Sequence, residues 1–574
     1  MGIRVSSKYL SVQLRLTNTD EGAFGKLMLE AKSQLGSIIP LGSGHFSDHV
    51  TSKNVWFPLN VGELDDILHA VKHAGAEIGV ALNARQYMAC VRDFCEHKWF
   101  ICEYEFQAKE WALEHAPLGR KPPAKFVGTL SDYQARGSDW LSMMRENGAG
   151  VVLGDSMGLG KTVQVIKTIC DLLEDYPEGK TLVVCPSALA ENWAREIEKF
   201  TCGLEYMIHR GANRSRNYRS YTASVMITTY DVARMDASVL SLVNWDLVVL
   251  DEAQSIKNPD SQRTKAIKQI TRKASIAVTG TPFENHMTDI WSIFDFCMPG
   301  FLGTKSSFMA RYADDDASAS DLGRVIAPAL LRRRLSDIPN DLPPILTVPM
   351  PISLEANEAE EYERRKALYT QQGSAFGAMG KLLTDLSAPR QSSDFLSNLK
   401  YDYLDTVVEE VADNEEKIIV FAERIATIGA LESKYSHRCP VFVLNGSTPM
   451  ALRQQTVDAF SAVAGAAILI CNPTVGGAGL NITAANHVFH FSMQWNPAKI
   501  DQADARAHRR GQRKNVVVHY PFYASTIEEY MWNKISVKRE LAAEVVVGNK
   551  AESDVNEIAM ALSMSPVTHR GNKE

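Results

Sequence analysis

A glycine-rich stretch between an apolar run and an amphipathic pattern has the residue types of a phosphate-binding loop. The apolar run Val151-Val152-Leu153 is followed by Gly154-Asp155-Ser156-Met157-Gly158-Leu159-Gly160-Lys161-Thr162. Backbone N–H groups of such a loop point together at phosphate oxygens, in conformations that glycine adopts most easily. Lys161 brings a positive charge to the β- and γ-phosphates, and the Thr162 hydroxyl can ligate Mg²⁺. Asp155 stands where the strict pattern GxxxxGK[ST] has glycine, but the sequence still predicts an ATP site at residues 155–162.

A pair of carboxylates downstream supplies the second half of such a site. Asp251 and Glu252 directly follow the apolar run Leu247-Val248-Val249-Leu250. An aspartate in this position can hold Mg²⁺ through water, and the adjacent glutamate can polarise an attacking water molecule. Two acids that merely begin a helix would look the same in isolation. Their place in one strand and helix series with the phosphate loop favours the catalytic interpretation.

The elements that must position these residues are two sets of buried strands separated by helical patterns. The first set includes the runs at 151–153, 182–185, 226–229, 247–250 and 277–279, and the second begins at Lys417. This alternation predicts an α/β fold with two parallel sheets. Polar residues at the carboxyl ends of such strands converge on a ligand. Gln134, on the helix before the loop, has an amide that can both donate to and accept from an adenine edge.

Composition limits the class of protein. The 574 residues are 45% hydrophobic, so we expect about three domains. The formal net charge of -7 argues against a chain that coats nucleic acid indiscriminately, although local basic clusters could still bind it. No apolar run reaches the length of a membrane span, and nine cysteines without regular pairing fit a reducing compartment. We therefore expect no membrane partner and a location in the cytoplasm of a prokaryote or viral host, or in the nucleus of a eukaryote. The oligomeric state stays open, with a monomer favoured.

Four residues near the N-terminus could in principle form a metal site. Cys90, Cys95, His97 and Cys102 lack the spacing of a zinc knuckle or ribbon, and residues 85–115 are interpreted as one long helix. We expect packed or unreactive cysteines, and metal binding stays an open alternative.

The domain boundaries follow from composition. Residues 1–122 form a predicted α+β accessory domain that ends in a linker rich in proline and lysine and could bind protein partners. Residues 123–345 form the predicted ATP-binding lobe and residues 346–548 a second lobe, in which 346–400 is a helical connection. Residues 549–574 are a predicted polar, frayed tail.

The residue sequences of these motifs, and their order, resemble those of the Swi/Snf family of DNA-dependent ATPases, within the superfamily-two helicase-like motors. The matching stretches, over roughly residues 125–548, are GDSMGLGKT (154–162), CPSALAENW (185–193), ITTYD (227–231), LDEAQSIKN (250–258), TGTPFEN (279–285), LRRRLSDIPNDLPP (331–344), VGGAGLNIT (475–483), WNPAKIDQADARAHRRGQ (495–512) and STIEEYMW (525–532).

The resemblance implies two recombinase-like lobes that use ATP and Mg²⁺ to move along duplex DNA. It places Gln134 on adenine, residues 158–162 on the phosphates, Asp251 on Mg²⁺ and Glu252 as hydrolytic base. Arg506 and Arg509, three apart on one helical face, would be arginine fingers from the second lobe. Gln254 departs from the family, where histidine is commoner.

The same resemblance, with local charge, predicts a DNA track of little sequence specificity. Its candidate contacts in the first lobe are Arg210, Arg214, Arg216, Thr228 and Thr229. Two further basic clusters, at 332–334 and 510–514, could add phosphate contacts. Solvated surface charge is the plain alternative for each cluster.

Other functions remain open on the sequence alone. A strand-separating or annealing helicase shares the ATPase core, and a motor subunit of a DNA defence or restriction assembly would need a partner to cut DNA. A non-hydrolysing, ATP-gated scaffold is disfavoured because Lys161, Asp251, Glu252, Arg506 and Arg509 are all present. We expect duplex or branched DNA as the partner.

Overall fold

The structure is a computed structural model of the chain. It describes residues 4–19, 22–33, 36–42, 48–52, 55–114, 122–211, 213–217, 219, 221–280, 287–313, 315–334, 337–338, 343–389, 392–393, 396–476, 480–509, 511–544 and 560–567. Several residues of the motifs quoted above lie outside these ranges, namely 281–285, 335–336, 339–342, 477–479 and Arg510.

The chain divides into two compact units. The first comprises Met1–Gly154, Val163–Val184 and Ile197–Arg333, and the second comprises Asp155–Thr162, Cys185–Glu196 and Arg334–Glu574. The N-terminal residues therefore share a unit with the first large sheet, and the phosphate loop is grouped with the second.

The N-terminal module is a small α+β structure with two sheets. One sheet has the order β1-β6-β5 and the other the order β4-β3-β2-β7. Their strands and the helices between them are β1 (Arg4–Val5), β2 (Ser11–Thr19), β3 (Gly22–Lys32), β4 (Ile38–Leu41), β5 (His49–Ser52), β6 (Val55–Pro58), α1 (Val61–His73), α2 (Ala84–Phe94), β7 (Phe100–Cys102) and α3 (Ala108–Glu114).

This module corrects the expectation of one long helix over residues 85–115. Helix α2 ends at Phe94, and β7 then pairs in parallel with β2, so that Phe100 lies opposite Leu14. A sheet partner more than 80 residues away in sequence determines the conformation of this segment, which local periodicity does not reveal. Arg136 on the next helix donates a hydrogen bond to the carbonyl of Leu113 in α3, which joins the module to the first large sheet's helices.

The first large sheet has seven strands in the order β10-β11-β9-β12-β13-β8-β14. The pairs β10–β11, β9–β12, β12–β13, β13–β8 and β8–β14 are parallel. The strands and helices of this region are α4 (Asp132–Glu146), β8 (Val151–Leu153), α5 (Lys161–Asp175), β9 (Thr181–Cys185), α6 (Ala190–Phe200), β10 (Tyr206–His209), β11 (Val225–Thr229), α7 (Tyr230–Met235), α8 (Ala237–Leu240), β12 (Trp245–Asp251), α9 (Gln262–Lys268), β13 (Arg272–Val278), α10 (Met287–Cys297), α11 (Lys305–Arg311), α12 (Asp316–Ile326) and β14 (Leu330–Leu331).

The second large sheet has six strands, all parallel, in the order β15-β20-β19-β16-β18-β17. Its elements are β15 (Ile345–Ile352), α13 (Ala356–Gln372), α14 (Ala375–Leu386), α15 (Leu399–Asp413), β16 (Lys417–Phe421), α16 (Ile425–Tyr435), β17 (Val441–Leu444), α17 (Met450–Ala462), β18 (Ala467–Cys471), α18 (Pro473–Gly476), β19 (His487–His490), α19 (Pro497–Asp504), β20 (Val516–Tyr523) and α20 (Ile527–Glu544). Two parallel α/β sheets and an N-terminal α+β module agree with the predicted fold class.

Two segments of the second unit differ from expectation. Residues 346–352, expected within a helical connection, belong to strand β15 (Ile345–Ile352), which pairs with β20 along its whole length. In the predicted frayed tail, Ala561 is fully buried in a core with Tyr362 and Met379, and Lys366 donates to the carbonyl of Met564 at 2.7 Å. Apolar residues scattered in a polar tail thus find a partner surface that the local pattern does not show.

Candidate active site

The phosphate loop has the backbone that its glycines predict. Strand β8 is buried along its length, and α5 begins at Lys161, directly after the loop. Gly158 and Gly160 have φ values of +86° and +71°, where a β-carbon is strained. The Lys161 ammonium donates to the carbonyls of Asp155 at 2.8 Å and Ser156 at 3.3 Å. The loop therefore holds its lysine at the positive end of helix α5, where phosphate oxygens would be attracted.

Gln134 is buried, with only 1% of its surface exposed. It is the third residue of α4, and its Oε1 accepts from the backbone N–H of Ser131 at 3.1 Å in a capping box. Its Nε2 donates to the hydroxyl of Tyr133 at 3.4 Å. These bonds fix which way the amide faces, a property that an ordinary surface glutamine would lack.

The two carboxylates lie where β12 ends. Glu252 adopts a left-handed backbone conformation with φ of 52°, which costs energy for a residue other than glycine. The Asp251 carboxylate accepts from the Glu252 backbone N–H at 2.9 Å, and Tyr230 donates its hydroxyl to the Asp251 carbonyl at 2.8 Å. A strained turn held by two hydrogen bonds keeps the two acids side by side.

Gln254 connects Glu252 to the neighbouring strand. Its Nε2 donates to the Glu252 carboxylate at 2.7 Å, and its Oε1 accepts from the Thr279 hydroxyl at 2.9 Å. Thr279 directly follows β13, whose Val278 is in register with Asp251. The role of Thr279 was missed from the sequence, although its place at a strand's carboxyl end was a signal. Glutamine makes both contacts here, in the position where the family more often has histidine.

The two predicted finger arginines lie in a turn, since helix α19 ends at Asp504. The expectation that they share a helical face is therefore wrong. Arg506 is 7% exposed, and its carbonyl accepts from the N–H of Ile482 at 3.1 Å. The Arg509 side chain is 20% exposed and lies 3.9 Å from the Glu196 carboxylate. The turn thus buries one guanidinium and leaves the other partly accessible.

Within the second unit this turn packs against the phosphate loop. A β-carbon built on Gly158 would lie 3.1 Å from the carbonyl oxygen of His508 and 3.6 Å from the Cα of Arg509. His508 itself donates a ring N–H to the carbonyl of Pro343 at 2.8 Å. Asp504, at the end of α19, binds His490 at 2.7 Å and accepts from the hydroxyl of Tyr520.

The predicted DNA contacts divide into exposed and buried residues. Arg210 is exposed, as is the Arg216 side chain at 64%, and the Arg216 guanidinium also lies 3.1 Å from the Asp236 carboxylate. Arg214 is 7% exposed and forms a two-pronged ion pair with the buried Asp236, at 2.5 and 2.9 Å. Hydrogen bonds from the guanidinium of Arg214 and from His209 outweigh burial and lower the pKa of Asp236. This arrangement does not support the prediction that Arg214 contacts a phosphate, because its guanidinium donates two hydrogen bonds to the buried Asp236.

The two threonines are similarly engaged. The buried Thr228 donates its hydroxyl to the carbonyl of His209 at 2.9 Å. Thr229 is the N-cap of α7, and its hydroxyl accepts from the N–H of Val232 at 3.3 Å. Arg333, which follows β14 in the first unit, is fully buried, so its expected contact with DNA is also not supported.

The cysteine cluster carries no metal-ligand geometry. Among the residues that the structure describes, no group of three or more His, Cys, Asp or Glu side chains is arranged to hold a metal ion. Burial raises the pKa of the Cys90 thiol to about 12, which disfavours the thiolate that a metal would need. None of the described helices combines the length and apolar character needed to span a membrane.

Two family models match consecutive parts of the chain. The SNF2-related domain matches residues 133–396, and the helicase conserved C-terminal domain matches residues 400–511. Together they cover about two thirds of the sequence, and they include every candidate catalytic residue above.

Similar proteins come from bacteria, archaea and eukaryotes. An uncharacterized ATP-dependent helicase of Mycoplasma pneumoniae is 32% identical over 76% of this chain and 44% of its own length. YwqA of Bacillus subtilis, described as an ATP-dependent helicase/translocase, is 33% identical over 76% of this chain and 50% of its length. The chain thus spans about half the length of these relatives.

One solved structure, the Sulfolobus solfataricus SWI2/SNF2 ATPase core in complex with dsDNA, is 28% identical, with a TM-score of 0.40, and the match covers 77% of this chain and 99% of that one. The two domain matches and the ordered motifs lead to one conclusion: the chain belongs to the Swi/Snf family of ATP-dependent, helicase-like ATPases.

Proposed function

We propose that this chain is an ATP-driven motor that moves along duplex DNA, with hydrolysis stimulated by the DNA. The observation that supports it best is the arrangement around Glu252, whose carboxylate is held by Gln254 on a strained turn after a buried strand. A carboxylate fixed in this way can orient a water molecule for attack on the γ-phosphate. YwqA, described as a helicase/translocase, is the relative whose name fits this proposal.

The site residues take separate roles in this proposal. Gln134 recognises adenine, the backbone of residues 155–162 binds the phosphates, and Lys161 offsets their charge. Arg509 and Arg506 stabilise the charge that develops in the transition state. The position of Arg509 against Gly158 of the phosphate loop, and its partial exposure, support this role.

The oxygen donors fit a magnesium ion. The hydroxyl of Thr162, on the first turn of α5, and the carboxylate of Asp251 are the hard oxygen ligands that Mg²⁺ prefers. When bound, the ion would offset phosphate charge. The protein residues keep their own tasks, which are binding, orientation of water and the arginine contacts.

A displacement assay separates translocation from strand separation. A triplex-forming strand bound to a duplex should be released when ATP is added, and release should stop when Glu252 is replaced by glutamine. A forked duplex without a third strand should stay annealed. Release of the triplex strand without hydrolysis would contradict the proposal, and separation of the duplex itself would favour a strand-separating helicase.

A further inference from the structure

Arg333 is fully buried at the edge of the sheet where the phosphate loop begins. It follows β14, whose Leu331 is in register with Leu153 of β8, and the N–H of Gly154 donates to the Leu331 carbonyl at 2.7 Å. The chain therefore carries a permanent positive charge into the interior, beside the start of the nucleotide site. Burial of this charge is costly, because the guanidinium loses its hydrogen bonds to water and must form others inside the protein.

The guanidinium of Arg333 joins helices α4 and α5. Its Nη2 donates to the Oε1 of Gln164 in α5 at 2.6 Å, and its Nη1 donates to the carbonyl of Tyr133 in α4. Its central carbon also lies 5.3 Å from the centre of the Tyr133 ring. A planar fork with fixed donor directions sets the spacing of the two helices more tightly than a flexible ammonium would.

Gly137 leaves room in α4 for the side chains of Arg333 and Gln164. A β-carbon there would lie 2.0 Å from the Gln164 Oε1 and 2.6 Å from the Arg333 Nη2. Glycine lowers helix stability relative to alanine, so its presence in the middle of α4 is unfavourable locally. The close approach of Arg333 and Gln164 explains why this position accommodates glycine.

Tyr133 links Arg333 to Gln134, the residue proposed to recognise adenine. Tyr133 precedes Gln134 in α4, and the Tyr133 hydroxyl accepts from the Gln134 Nε2 at 3.4 Å. Glutamine distinguishes adenine by accepting from the N6 amino group while donating to N7. Guanine presents an acceptor, O6, in place of that amino group. Discrimination therefore depends on the orientation of the Gln134 amide.

We propose that Arg333 is a positioning residue for recognition of the nucleotide base, acting through Tyr133 on Gln134. This inference rests on the proposed function, in which Gln134 faces adenine. Loss of the Arg333 fork would let the first turn of α4 shift against α5. The amide of Gln134 would then lose its fixed direction, and ATP would lose its advantage over GTP.

Lys167 provides a matched control. It is also a buried cation that joins α4 to α5, through Asp139 at 2.6 Å, and it pairs with Asp171 at 2.8 Å. Lys167 and Asp139 lie farther along α5 and α4 than Gln164 and Tyr133, the residues that Arg333 contacts. Replacing Lys167 should weaken the same pair of helices without turning the Gln134 amide.

The test compares ATP with GTP in the full chain. Arg333→Lys, Tyr133→Phe and Lys167→Met are measured for kcat/KM with each nucleotide and duplex DNA, and for Tm. We expect Arg333→Lys and Tyr133→Phe to lower the ATP/GTP ratio about three- to tenfold, mainly through a higher KM for ATP, which corresponds to the loss of one hydrogen bond. Lys167→Met should lower Tm and leave the ratio unchanged.

Two outcomes would overturn the inference. One is an unchanged ratio in both Arg333→Lys and Tyr133→Phe, and Tyr133→Phe decides alone if the lysine variant does not fold. The other is an equal loss of ratio in Lys167→Met. Displacement of a fluorescent ATP analogue by ATP and GTP gives the same ratio without turnover. If the wild-type chain binds ATP in preference to GTP but hydrolyses neither, the proposed function is contradicted. The role of Arg333 is still tested by the ratio of the two binding affinities.

Discussion

The side-chain amide of Gln254 donates a hydrogen bond of 2.7 Å to the carboxylate of Glu252. The other end of that amide accepts from Thr279 on the adjacent strand, at 2.9 Å. Thr279 therefore donates to Gln254, which in turn donates to Glu252, so the chain of hydrogen bonds runs in one direction. The arrangement makes the predicted hydrolytic base part of a network that spans two strand ends.

Replacing Glu252 by glutamine should abolish most turnover while preserving nucleotide binding. The amide keeps the size of the side chain but cannot take a proton, and a general base contributes about 10²- to 10⁴-fold. Steady-state ATP hydrolysis with duplex DNA, and ATP affinity on the same preparation, give both quantities. Near-normal hydrolysis by this variant would show that another residue is the base.

Replacing Arg509 by alanine should lower DNA-stimulated turnover by about 10³-fold or more, with a much smaller fall in ATP affinity. Lysine should restore little, because a point charge lacks the planar fork that reaches two phosphate oxygens. The competing explanation is a structural ion pair with Glu196, at 3.9 Å. Glu196→Gln is the control, and a loss of turnover as large in that variant would make the pair, and not the finger, responsible.

The exposed arginines of the first unit should contact DNA, whereas Arg214 should stabilise the fold. Arg210→Glu with Arg216→Glu should weaken duplex binding and reduce the slope of log affinity against log salt by about one for each lost phosphate contact. Arg214→Met should lower the free energy of unfolding by up to about 3 kcal/mol, because it removes a partner from the buried Asp236. An unchanged salt slope in the double variant would identify those arginines as ordinary surface charge.

Stability of the second unit should fall between pH 6.5 and pH 4 because of His519. Burial, with a smaller effect of the neighbouring His487, lowers the pKa of His519 to about 4. The unfolded chain protonates His519 near pH 6.5, whereas the folded chain does so only near pH 4. Protonation therefore favours the unfolded state increasingly as the pH falls from 6.5 to about 4 and has no effect well above pH 6.5. The difference amounts to roughly 3 kcal/mol.

Denaturant titrations at pH 7.5 and pH 4.5 measure this loss. His519→Gln keeps a polar side chain without a proton to gain, so its acid loss should be smaller than that of the wild type. His437→Gln, at an exposed position, is the control. Equal acid loss in the wild type and in His519→Gln would contradict the assignment.

The parts of the fold that the sequence predicted correctly are those that local patterns determine. Strands β8 and β12 are continuous apolar runs with polar ends, and the phosphate-loop glycines adopt the left-handed conformations expected of them. The errors come from distant partners. Asp236, 22 residues from Arg214, accepts hydrogen bonds from the guanidinium that was expected to contact DNA. Strand β2 pairs with Phe100 and so places it in a sheet. Neither partner is visible in a short window of sequence.

Hydrolysis of ATP by the wild-type chain, with and without duplex DNA, tests the central claim most directly. The account predicts slow turnover alone and strong stimulation by duplex DNA, with Glu252→Gln close to background under both conditions. Equal wild-type rates with and without duplex DNA, at protein and ATP concentrations where DNA binding is independently observed, would contradict a DNA-dependent motor.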